Sequence, residues 1–86
     1  MYTNKIDFYE LLDMVKKDNV LNDKRINYSS ITGRLMEYLR YAQDLNSVVG
    51  ALIKAFMDDE WWKYNNNIVP EEMVKLAKKI YVLYFI

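Results

Sequence analysis

The sequence predicts an all-α fold, a small bundle of three or four helices, and three observations carry that expectation. Apolar residues recur at three- and four-residue spacing through most of the chain. Only 2 glycines and 1 proline occur in 86 residues, too few backbone breakers for the many tight turns of an all-β domain this short. Hydrophobic residues make up 52% of the chain, enough to fill a helical core. One domain is expected over residues 1–86. A chain of this size buries only about 60–65% of its unfolded surface, so its stability margin is thin. With no cysteine and no histidine, neither a disulfide nor the usual zinc ligands can staple it, and packing must hold it.

In the first segment Phe8, Leu11, Leu12 and Val15 recur at i, i+3, i+4 and i+7 behind Thr3 or Asn4 as an N-cap, which predicts a helix over 4–18. From Asn19 to Ser29 the pattern dissolves into polar residues around isolated Val20, Leu21 and Ile26, a loop with room for one short turn. Ser29 or Ser30 then caps a segment whose apolar positions Ile31, Leu35, Tyr38, Ala42, Leu45, Val49, Leu52 and Phe56 hold one phase until Asp59. One helix from about 30 to 63, roughly 50 Å long, satisfies that phase. So does a break at Asp44 to Ser47, with Asn46 or Ser47 capping a second helix. The central element is therefore long or broken.

Leu39, Val48, Ile53 and Ala55 widen its apolar stripe beyond a two-stranded seam, which places it centrally in the bundle, with Arg40, Ser47 and Lys54 as its wet line. Ser47, Gly50, Ala51 and Ala55 gather small side chains where another helix can approach closely. After Asn65-Asn66-Asn67, Pro70 followed by Glu71 and Glu72 opens the last helix, proline at the first position and carboxylates at the positive end of the dipole. Met73, Leu76, Ala77, Ile80 and Tyr84 form its inner face, and Lys75, Lys78 and Lys79 cover the other side. The final run, Ile80 to Ile86, is apolar on every side, which predicts burial all round, in the bundle or in a homodimer interface. The expected core is Phe8, Leu11, Leu12, Leu35, Leu39, Val49, Leu52, Phe56, Leu76 and Ile80.

Twelve basic and twelve acidic residues cancel, so no global field steers the protein toward nucleic acid or anionic membrane. The polar N-terminus with Asp7 and Glu10 lacks a signal-peptide core, and uncharged stretches such as Leu45 to Ile53 fall far short of the ~20 residues that span a bilayer. A cytoplasmic protein is expected, in the host cytoplasm if viral. Contact of Lys78, Lys79 and the apolar run with a membrane surface is the lesser reading. Abundant Asn, Tyr, Ile and Lys hint at AT-rich coding, as in a phage, virus, plasmid or low-GC host.

Catalysis would have to rest on carboxylates, lysines and tyrosines. The densest acidic group, Asp58-Asp59-Glu60, points its side chains about 100° apart on a helix, so it forms neither a metal site nor an acid/base pair. No enzyme, cofactor or metal is expected. The same acids stand beside Trp61, Trp62 and Tyr64, and this acidic-aromatic patch is the candidate protein-binding site, since tryptophan and tyrosine dominate interface hot spots. Core closure by one tryptophan beside solvated acids accounts for the same residues. The function expected is a non-catalytic protein-binding module, a small regulator or inhibitor.

The alternative is DNA binding. The segment Asn27 to Leu39 loosely resembles the recognition helix of helix-turn-helix repressors. That resemblance implies Ser29, Ser30, Thr32 and Arg34 facing the major groove, with Lys24 and Arg25 adding positive charge. It covers about a dozen residues, the preceding Val20 to Ile26 is short for the motif's first helix, and no β-wing follows. An ordinary capped amphipathic helix explains the same residues and is the preferred reading.

Overall fold

A computed structural model describes residues 6–17, 26–60 and 70–86. Helix α1 spans Phe8–Lys17, α2 Tyr28–Leu39, α3 Leu45–Met57 and α4 Pro70–Phe85. Among the described residues all regular structure is helical, a small all-α bundle. No described helix is long and apolar enough to cross a membrane.

The first three helices begin where a side chain can satisfy their free amides. For α1 that residue is Asp7, whose Oδ1 accepts from the Tyr9 amide at 3.0 Å. The helix therefore starts at Phe8, a turn later than a cap at Thr3 or Asn4 requires. For α2 it is Asn27, accepting from the Ser30 amide at 3.0 Å, so Ser29 and Ser30 lie inside the helix instead of capping it.

The central element is broken. The last turn of α2 tightens as the amides of Arg40, Tyr41 and Ala42 bond to carbonyls three residues back at 3.2–3.3 Å. Asp44 then adopts an extended backbone, φ −146° and ψ 179°, and its Oδ1 accepts from both the Ser47 amide at 2.8 Å and the Ser47 hydroxyl at 2.7 Å. The cap of α3 is thus Asp44, not Asn46 or Ser47, and α3 ends at Met57. The hydrogen bonds to Ser47 hold the Asp44 carboxyl below its ordinary pKa.

Each helix packs against its neighbour in sequence, and α1 meets α4 to close the ring. Leu11, Leu35, Leu39, Leu52, Phe56, Leu76 and Ile80 are buried as expected. Phe8, Leu12 and Val49 are only half-buried. In α3 the inward stripe runs through Val48, Ala51, Leu52, Ala55 and Phe56, which leaves Val49 on its flank. Val15 and Ile31, with no exposed surface, complete the centre. Ala51 and Ala55 are packed inside, but Gly50 is exposed and a Cβ there would meet nothing within 4 Å, so the close helix crossing expected at Gly50 is not formed.

The last helix departs most from expectation. Met73, Leu76, Ala77, Ile80 and Tyr84 face the core. Val82, Leu83 and Ile86 are 61%, 41% and 74% exposed, so the run is not buried all round. The inner stripe already uses the positions a helix can bury on one side, and these three fall opposite. The Tyr84 hydroxyl donates to Glu10 Oε1 at 2.7 Å and ties α4 to α1 across 74 residues of sequence.

Candidate protein-docking surface

The acidic end of α3 is part of the fold before it is anything else. Tyr38 on α2 donates its hydroxyl to Asp58 Oδ2 at 2.6 Å, and that bond, with lesser contributions from burial and the Asp58 charge, raises the tyrosine pKa above its ordinary value. The Lys54 ammonium lies 4.9 Å from the centre of the same ring, a cation–π contact. Asp59 is not a solvated acid: it is 7% exposed, with Oδ1 3.9 Å from Nη2 of Arg34. Glu60 is exposed. Trp61, Trp62 and Tyr64 lie outside the described residues, so the aromatic half of the expected patch does too.

The residues expected to face a DNA groove divide in a similar way. Ser29 is exposed, but Thr32 is buried. Arg34 is turned along the α2–α3 interface, donating from Nη1 to Ser30 Oγ at 2.9 Å and from Nε to the Ala55 carbonyl at 3.3 Å. Ala55 lies in the last turn of α3, whose carbonyls have no partner within the helix, so the guanidinium sits at the negative end of that helix dipole. Lys24 and Arg25 lie outside the described residues. A recognition-helix arrangement would turn Thr32 and Arg34 outward, whereas here both serve the bundle.

The surface that remains open belongs in part to the C-terminal run, for which the sequence offers a homodimer interface or, as a lesser reading, membrane contact with Lys78 and Lys79; the part of α1 that joins it, Met14, is not among the expected site residues. Between α1 and α4 runs a groove of about 580 Å³, with Met14, Val82 and Leu83 as its apolar walls and Lys78 and Lys79 at its edge. Ile86, one turn beyond Val82 on the same helix, is 74% exposed, while Tyr81 and Phe85 stack 5.5 Å apart and pack against the core. The groove's signal in the sequence was the run Ile80 to Ile86, more apolar residues than one inner stripe can bury, of which Val82, Leu83 and Ile86 stay exposed.

No protein-family model, curated protein or solved structure matches this chain. A second, smaller groove of about 240 Å³ lies over the α2–α3 turn, walled by Tyr38, Tyr41 and Lys54 and floored by Ala42, Gly50 and Ala51. Tyr41 there is 81% exposed. Among the described residues no three carboxylates gather closely enough to hold a metal ion.

Proposed function

We propose that this chain is a non-catalytic protein-binding module, a small regulator or inhibitor, and that it docks its partner along the groove between α1 and α4. The observation that supports the reading is the exposure of Val82 and Leu83 beside Met14. Fully burying an apolar side chain of this size is worth about 1.5–3 kcal/mol, and with about half of each surface left in water roughly 1 kcal/mol each is forgone, which a partner covering them would recover. The acidic end of α3 is less suited to the role, since Asp58 and Asp59 are engaged by Tyr38 and Arg34.

The test is site-specific photo-cross-linking in the native host. A photoreactive residue at position 83 should capture a discrete protein. The same residue at exposed Glu71, on the opposite end of α4, should not. Adding Val82→Asp should remove the adduct and leave the circular dichroism spectrum unchanged. Equal capture at positions 83 and 71, or capture that survives Val82→Asp, would place binding elsewhere.

A further inference from the structure

The charges around the groove say what kind of segment it takes. On α4 the outward residues change character along the helix: Lys75, Lys78 and Lys79 come first, then Val82, Leu83 and Ile86. Lys75 is paired with Glu72 at 3.6 Å. Lys78 is exposed and pairs with no carboxylate among the described residues. Among the described residues of α1, the charged ones that share the Met14 face are Glu10, four before, and Lys17, three after. Both are engaged within the protein, Glu10 by the Tyr84 hydroxyl and Lys17 by Asp13 at 3.2 Å. The charged side chains that line the groove itself are the two lysines of α4, Lys78 and Lys79, one turn before the apolar walls.

We infer that the occupant is an acidic amphipathic helix of a partner protein, and this rests on the reading of the groove as a docking surface. Two antiparallel helices leave a trough that a third helix fills with apolar anchors at i, i+3 or i+4, and i+7. Its anchors cover Met14, Val82 and Leu83, and a carboxylate one turn away meets Lys78. The lysine stem lies along the partner while its ammonium forms the ion pair at the rim. An anionic membrane is the poorer occupant. A flat bilayer would meet the Glu10 carboxylate of α1 together with Lys78, whereas a helix can present unlike charges to the two sides.

Two synthetic helical peptides test this against the full chain by fluorescence anisotropy. Both are about 16 residues, roughly four turns, with leucines at i, i+4 and i+7. One carries glutamates beside the leucines and the other lysines at the same positions. The glutamate peptide should bind with a Kd on the order of 10–100 µM, and the lysine peptide at least about tenfold more weakly. Lys78→Glu should reverse the preference, and raising salt should narrow it. Leu83→Ser should abolish binding of both. Equal affinities that Leu83→Ser still abolishes would overturn the acidic occupant and leave the docking groove standing. Binding of neither peptide at millimolar concentration would overturn the inference, as would tight, Lys78-dependent binding to phosphatidylserine vesicles in place of the peptide. The photo-cross-link at position 83 decides the underlying reading separately.

Discussion

Replacing Arg34 with methionine keeps the aliphatic stem and removes the charge, which isolates what the guanidinium does for the α2–α3 interface. It makes one bond to the Ala55 carbonyl, one to Ser30 Oγ, and faces Asp59 at 3.9 Å. Breaking a buried pair by deleting one member costs about 3–5 kcal/mol, because the other charge stays in a poorly solvated place. The Arg34 side chain is 28% exposed and the Asp59 side chain 8%, so water reaches one end and lowers the expected loss to about 2–3 kcal/mol. For a domain of this size that is a fall in Tm of about 10–20 °C. The assay is thermal and urea unfolding followed at 222 nm, with Asp59→Asn added in the same background. The second substitution removes the buried charge that Arg34 faced, so the double variant should recover about 1–2 kcal/mol relative to Arg34→Met alone. An Arg34→Met protein that melts within about 2 °C of the parent would show that the guanidinium does not hold the helices together. It would also restore Arg34 as a residue available for DNA.

Three further outcomes follow from the geometry. Gly33→Ala and Gly50→Ala should each stabilise the protein by about 0.5–1 kcal/mol in urea titration, since both glycines lie within helices and a Cβ at either meets nothing within 4 Å. Tyr84→Phe should cost about 1 kcal/mol, because the exposed Glu10 carboxylate it leaves behind rehydrates. The Tyr84 pKa is raised, by burial first and the Glu10 bond second. Its contribution is therefore complete below the ordinary tyrosine pKa of about 10 and is lost as pH rises beyond it, a decline that Tyr84→Phe should flatten in melts across that range. The Asp44 pKa is lowered, so its contribution is present above the ordinary value of about 3.9 and lost as pH falls below it. Asp44→Ala should melt earlier at neutral pH and show a shallower loss of stability on acidification.

Helix periodicity made the fold class and most of the core legible, because burial on one face leaves a spacing that any reader of the chain can count. It could not show direction. From Ile31 to Phe56 the apolar phase runs on through a turn, since buried Ala42 keeps the spacing while Asp44 reverses the path. The usable signal was Asp44 three residues before Ser47, an N-cap pattern competing with Asn46 and Ser47 themselves. Function was less legible for a different reason. Asp58, Asp59 and Arg34 have the composition of a recognition surface, but distant partners on α2 and α3 engage them, and sequence spacing carries no information about contacts 20 or more residues apart. In the apolar C-terminal run, hydrophobicity predicted burial in the bundle or in a homodimer interface, whereas within this chain Val82 and Leu83 lie exposed.

The seam that the Tyr84–Glu10 bond closes has a kinetic meaning. The α1·α2, α2·α3 and α3·α4 contacts join neighbours along the chain and can form early, while α1·α4 must await closure of nearly the whole polypeptide into a loop. It is also the sparsest of the four interfaces. The groove straddles it, with Met14 on one bank and Val82 and Leu83 on the other. A ligand lying across both banks binds only the closed ring, so it should suppress opening of the outer helices and slow amide exchange in α1 and α4 more than in α2 and α3. Occupancy of the groove would then be felt as the latch on the last contact to form.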